Sequence, residues 1–262
     1  MGDWGEISEH TPVILVENCA YYQLLSTTAK TAGILGNLAD KQAYEYRAEC
    51  VKNAFHKNSE CYNSDSGIYG TGSQSSYGCA LYSGIVFEKN INTAINGLVR
   101  SVEKCRYHLS SGEVGLKQVF SILSKYSRDD IVYKMIMNDT PPSYKYFIYR
   151  GLTTLPEYWN YEELWYGMVR SRNHAMMGHV KEWFIHAVIG IKRISDDFKN
   201  IRIQPFIPEN TSYAKGEFVC GFGKIYVEWR LISEQEIIIK AEIPKGVHAE
   251  IIAPDGYILI EN

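Results

Sequence analysis

Glu157 is the residue whose setting best suits chemistry. It lies in Gly151 to His186, which reads GLTTLPEYWNYEELWYGMVRSRNHAMMGHVKEWFIH. Pro156 precedes it, the pair Tyr158 and Trp159 follows, and Tyr161, Trp165, Tyr166 and His174 come soon after. Flat rings bind the apolar C–H faces of a pyranose, and a partly desolvated carboxylate works as acid or base. That combination points to a sugar-processing site. The competing reading of the same residues is an aromatic core beside one solvated glutamate. Glu162 and Glu163 read as a solvated face, and Glu182 and Trp183 as helix-packing residues.

The remainder of the chain narrows the setting. Its 262 residues suffice for one large domain, or a medium and a small one, and 45% of them are hydrophobic, which argues against disorder. The formal net charge of -3 comes without a basic block, so neither nucleic acid nor an anionic membrane is the expected partner. No apolar run is long enough to span a bilayer. The opening MGDWGEISEH has no secretory pattern, and the six cysteines form no C-x-x-C pair. The expectation is a cytoplasmic protein with reduced thiols, and no zinc site or other metal is foreseen.

Two periodicities divide the chain. Up to about residue 195 the apolar spacing is helical. Thr11-Pro12 is a start signal with threonine as N-cap, and Gly36 is a stop. Asp40 to Phe55 places Tyr44, Ala48, Val51 and Phe55 on one stripe. Ser73 or Ser75 caps the helix after GIYGTG, and Ile91–Cys105, Val114–Tyr126, Asp130–Met137 and Asn173–Ile191 read as further helices. Paired helices joined by turns predict stacked hairpins, as an array or a closed toroid with its site on the loops at one end. After Ile194 the period falls to 2. Strands are predicted near Ile201–Pro205, Lys224–Trp229, Ile237–Ile243, Ala249–Ala253 and Tyr257–Ile260, which read as a small antiparallel β-sandwich. The expected domains are 1–197 and 198–262.

Several segments in order resemble bacterial α-L-rhamnosidases of glycoside hydrolase family 78. That family carries G-x-T-T-L-W-E-x-W and then S-x-N-H-x-M-x-G-x-V-x-E-W, matched here by GLTTLPEYW from Gly151 and SRNHAMMGHVKEW from Ser171. GDW at Gly2–Trp4, YGTGSQ at Tyr69–Gln74, HLSSGEVG at His108–Gly115, PPSYKYFI at Pro141–Ile148, IRIQP at Ile201–Pro205 and GFGKIYVEW at Gly221–Trp229 extend the likeness over nearly the whole chain. Pro156 and Tyr144 stand where the family usually has tryptophan.

The resemblance implies part of an (α/α)6 barrel followed by the terminal sandwich. About seven or eight helices are legible, short of six full hairpins. It implies inverting hydrolysis of terminal α-L-rhamnose without metal or cofactor, by two carboxyl groups roughly 6.5–9.5 Å apart. Glu157 falls on the water-activating base. Trp4 and Trp159 fall on sugar-contacting aromatic positions, and His174 on a donor to a sugar hydroxyl. His108 and Gln74 lie in matching segments, with catalytic or structural roles equally open. The family's general acid belongs to a segment R-x-E-R-x-G-W-x-G-D that has no counterpart here, and Asp3 and Glu6 are the nearby carboxylates that could replace it. The expectation is therefore a chain of low activity that self-associates or needs a missing N-terminal half. Two rivals remain: an inactive carbohydrate-binding remnant, and a helical-hairpin interaction protein.

Overall fold

A computed structural model describes residues 2–162, 164–165 and 168–260. Glu163 and Tyr166 lie outside the described residues, as does the side chain of Trp165. The chain forms two compact units, Met1–Gly178 and His179–Asn262.

The first unit is helical. Its main helices are α1 (Val13–Ile34), α2 (Leu38–Lys57), α3 (Gln74–Ser83), α4 (Ile91–Lys104), α5 (Glu113–Lys125), α6 (Asp129–Ile136) and α7 (Tyr144–Tyr149). The small hairpin β1 (Tyr62–Asn63) and β2 (Ile68–Tyr69) leads into α3, and β3 (Leu164–Trp165) pairs antiparallel with β4 (Met168–Val169). Sequential helices pack as pairs, α1 with α2, α3 with α4 and α5 with α6, while α3 also packs on α1 and α5. This leaves α1, α3 and α5 as one layer with α2, α4 and α6 as their partners.

The sequence explains why α3 takes the central place. Every residue from Gln74 to Leu81 is buried, and most are small. A Cβ at Gly78 would stand 2.7 Å from Val119 of α5, so only glycine permits this approach. Ser73 begins the helix by accepting the Ser76 N–H at 3.0 Å, and Gly84 ends it with φ +80. Thr11 does not cap α1 as expected. Its hydroxyl pairs instead with the Ser73 hydroxyl at 2.8 Å, tying the start of α1 to that of α3, and Pro12 occupies the cap position. Gly36 does stop α1, with φ +78. The outer surface of α1 and α2 leaves Tyr21, Leu24, Ile34, Leu35, Leu38 and Tyr46 exposed.

The second unit is mostly sheet. Asn173–Ile191 is not the single helix its periodicity predicts. A 3-10 turn at Met176–His179 gives way to α8 (Val180–Trp183), then a π-turn at Phe184–Val188. The strands are β5 (Ile191–Arg193), β6 (Asn200–Ile203), β7 (Tyr213–Cys220), β8 (Gly223–Leu231), β9 (Glu236–Glu242), β10 (His248–Ile251) and β11 (Ile258–Leu259). One sheet has the order β10-β6-β5 and the other β11-β9-β8-β7. The consecutive pairs β5–β6, β7–β8 and β8–β9 are antiparallel, and β10 and β11 add as parallel edges. The two sheets share one core, with Ile191, Ile201 and Ile203 against Ile225 and Val227. Trp229 is fully buried there and its indole N–H donates to the Val188 carbonyl at 2.7 Å. The polar stretch 196–199 lies in the turn between β5 and β6, and Asn200 opens β6.

Candidate active site

After α7 the chain turns at Gly151, whose φ is +73, and enters the segment carrying Glu157. That segment runs beside residues 171–174. The His174 N–H donates to the Leu155 carbonyl at 2.8 Å, and the Glu157 N–H donates to the Ser171 carbonyl at 2.9 Å. The Thr154 hydroxyl adds a bond to the Arg172 carbonyl. This short ladder uses the carbonyl of residue 155 and the N–H of residue 157. It needs no N–H at position 156, so buried Pro156 fits without an orphaned donor. The β3–β4 hairpin forms the return. Glu157 and His174, distant by sequence, are thus held on paired strands of chain.

Both oxygens of Glu157 have partners. Oε1 lies 3.8 Å from an Arg170 nitrogen, and Oε2 accepts the Ser171 N–H at 3.4 Å. The side chain is 22% exposed, so a water can reach it. The Arg170 guanidinium sits 3.9 Å above the centre of the Tyr158 ring and 5.3 Å from that of Trp4. Those two rings meet edge to face at 6.2 Å. Trp4 therefore joins Glu157 through Arg170. His174 Nδ1 accepts the Met176 N–H at 3.1 Å, which leaves Nε2 as the protonated, donating nitrogen.

Trp159 does not join this group as a ligand wall. It is 1% exposed, stacked on Phe147, edge-on to Tyr144, and its indole N–H donates to the Ser111 carbonyl at 2.8 Å. With its polar edge bonded and 1% of the residue exposed, Trp159 packs within the protein and offers no open ring face to a sugar.

The N-terminal turn is fixed by Asp3, which is 4% exposed. Its carboxylate accepts the N–H groups of Gly112 at 2.7 Å and of Val114 and Gly115 at 2.9 Å, as well as the Ser75 hydroxyl. It thus caps α5 with a charge suited to a helix N-terminus. The Glu113 N–H donates to the Trp4 carbonyl at 2.7 Å. A Cβ on Gly112 would stand 2.2 Å from that carbonyl oxygen, and one on Gly115 2.0 Å from the Ser75 hydroxyl. Glu6 accepts the Thr11 N–H at 2.8 Å, and burial pushes its carboxyl above the usual range. Gln74 bridges the His108 carbonyl and the Ser110 N–H, and the His108 ring bonds Thr140 and the Cys105 carbonyl. These residues hold the scaffold that presents Trp4. Arg170 is the member of the group that sequence patterns did not single out. Its only signal was a cation thirteen residues after a carboxylate flanked by aromatic rings.

Among the described residues no group of three or more His, Cys, Asp or Glu side chains could hold a metal ion. No described helix is long and apolar enough to cross a membrane.

Residues 1–188 match the family described as the bacterial alpha-L-rhamnosidase 6 hairpin glycosidase domain, and residues 190–258 match the bacterial alpha-L-rhamnosidase C-terminal domain. The chain is 27% identical over 274 aligned residues to an alpha-L-rhamnosidase of Alteromonas sp. (strain LOR), covering 99% of this chain and 30% of that protein. It is 29% identical over 235 residues to an alpha-L-rhamnosidase of Formosa agariphila, covering 87% of this chain and 25% of the relative. The structure of Streptomyces avermitilis alpha-L-rhamnosidase complexed with L-rhamnose superposes with a TM-score of 0.86 at 25% identity, over 95% of this chain and 24% of that one. The Dictyoglumus thermophilum alpha-L-rhamnosidase gives 0.85 at 27% identity, over 95% and 28%. The chain spans less than a third of the length of each of these proteins.

Proposed function

The chain belongs to the bacterial alpha-L-rhamnosidase six-hairpin glycosidase family, and from that membership we propose that it supplies the water-activating side of an inverting α-L-rhamnosidase site. The observation that carries this reading is the partly buried Glu157 carboxylate, held by a two-stranded ladder that also fixes His174. Glu157 takes a proton from a water, which attacks the anomeric carbon as the glycosidic bond breaks. A second carboxyl group, roughly 6.5–9.5 Å away, protonates the departing oxygen. His174 Nε2–H donates to a sugar hydroxyl, and the exposed parts of Trp4 and Tyr158 face the pyranose. Terminal α-L-rhamnose is the proposed substrate group, supported by the names of the relatives and by the L-rhamnose bound in one of them. Two carboxyl groups accomplish this hydrolysis without metal or cofactor. Six unpaired thiols support a reducing, cytoplasmic setting.

Asp3 is committed to three backbone N–H groups and the Ser75 hydroxyl, and Glu6 Oε1 accepts the Thr11 N–H near the start of α1. We therefore assign the general acid to polypeptide other than these residues. The chain alone is expected to hydrolyse an aryl α-L-rhamnoside about 10²–10⁴-fold more slowly than the same chain completed by the acid-bearing part of the barrel. Equal turnover by the two preparations would return the acid to this chain. L-Rhamnose binding without hydrolysis in either would favour a binding module instead.

The exposed side chains of α1 and α2 are the proposed docking face for further hairpins of the ring. In sedimentation runs the chain alone should self-associate with rising concentration, and addition of the rest of the barrel should replace those species with one defined complex. A concentration-independent monomer that ignores the added part would refute this face.

A further inference from the structure

Arg170 lies between the GLTTLPEYW and SRNHAMMGHVKEW segments and belongs to neither motif. Its side chain is only 11% exposed. A guanidinium so covered needs compensation, and its partners include the Glu157 carboxylate at 3.8 Å, the Tyr158 ring at 3.9 Å and the Trp4 ring at 5.3 Å. The guanidinium carbon lies over the Tyr158 ring and near the Trp4 ring, and the two rings meet edge to face, a setting that suits a planar guanidinium better than a flexible ammonium. The cation meets Glu157 at Oε1, while the Ser171 N–H meets Oε2. The carboxylate is thereby tethered from both sides, and one tether is a side chain clamped by aromatic rings from two separate segments.

We propose that Arg170 is a positioning residue for Glu157, with Trp4 and Tyr158 as the cage that orients it. This inference rests on Glu157 being the water-activating base. Arg170 sets the direction in which the carboxylate presents its free lone pairs to the attacking water, and it does not itself touch the sugar. Trp4 then has a second role besides facing the sugar. The Asp3 latch that holds the N-terminal turn reaches the base through the Trp4 ring and the Arg170 guanidinium.

The test uses whichever preparation hydrolyses the aryl α-L-rhamnoside, the chain alone or the chain completed by the rest of the barrel. Arg170→Ala should lower kcat about 10- to 100-fold, the scale of a misaligned reacting group, with KM within about twofold of the parent. Millimolar guanidinium should restore part of the lost kcat, because the vacated cage still accepts a planar cation. Arg170→Lys should keep the charge but lose the plane and fall between. Guanidinium should not rescue Glu157→Gln, which lacks the base itself. Wild-type kcat in Arg170→Ala alongside a collapsed Glu157→Gln overturns the role of Arg170 and leaves the base intact. Active Glu157→Gln overturns the base reading and this inference together. A kcat loss without guanidinium rescue, matched by a lowered melting midpoint, assigns Arg170 to packing and also overturns the proposal. Should Arg170→Ala not fold, Arg170→Lys decides: unchanged kcat in a folded protein refutes the positioning role.

Discussion

Glu157→Gln is expected to abolish hydrolysis in the completed enzyme, by about 10²–10⁴-fold in kcat, while L-rhamnose affinity changes little. Gln keeps the size of the side chain and one carbonyl oxygen for the Ser171 N–H. An amide cannot accept the proton that water must lose. The change therefore removes proton transfer and leaves the Trp4–Tyr158 ring pair, the proposed sugar wall, untouched. Steady-state turnover and calorimetric titration with L-rhamnose separate the two effects. Hydrolysis within a few-fold of the parent would show that another group activates the water. Loss of binding equal to the loss of turnover would show that Glu157 holds the sugar.

The second large effect concerns stability. Asp3→Ala should destabilise the helical unit by on the order of 3–5 kcal/mol, read from the midpoint of its urea transition. The carboxylate satisfies the N–H groups of Gly112, Val114 and Gly115, and each buried donor left without a partner costs about 1–3 kcal/mol. A small water-filled gap returns part of this. Asp3→Asn keeps the shape and one acceptor oxygen, and should cost roughly half as much. A loss below about 1 kcal/mol for Asp3→Ala would mean that the latch contributes little and that Trp4 is held by other contacts.

How much of this was legible in the sequence depends on whether a signal was local. Helices α4, α5 and α6 fall within one residue of their expected starts and ends, because each carries an uninterrupted apolar stripe. The stripe Tyr44, Ala48, Val51 and Phe55 is the more buried face of α2. The strand Tyr213–Cys220 was missed, since YAKGEFVC has few β-branched residues and Lys215, Gly216 and Glu217 at its centre. Its partner Gly223–Leu231 imposes the pairing, and a Cβ at Gly216 would stand 2.8 Å from Ile189. Asn173–Ile191 was read as one helix because its spacing is helical. The His174 N–H is instead committed to Leu155 and strand pairing begins at Ile191, so the helical part is cut short at both ends. In the candidate site, motif likeness singles out Glu157 and His174. Trp159 was placed on the sugar side because sequence does not tell which face of an aromatic run is covered. Arg170 was missed because its partners Trp4 and Tyr158 come from segments more than 150 residues apart.

The ladder between 154–157 and 171–174 makes the middle of the stretch it encloses, after Trp159 and before Arg170, a place that can accept inserts. Its bonds at Leu155–His174 and Glu157–Ser171 close the segment on itself. Backbone register at Glu157 is thus set by these bonds, while Arg170 at the end of the excursion orients its carboxylate. Doubling the length of such an excursion costs only about 0.6 kcal/mol in closure entropy. Grafted inserts between residues 159 and 169, varied in length and composition, should retain Glu157 and His174 in place, read from a crystal structure of the grafted chain. A library confined to that window, with Arg170 retained, tests whether the excursion tunes substrate choice while the proposed base keeps its place.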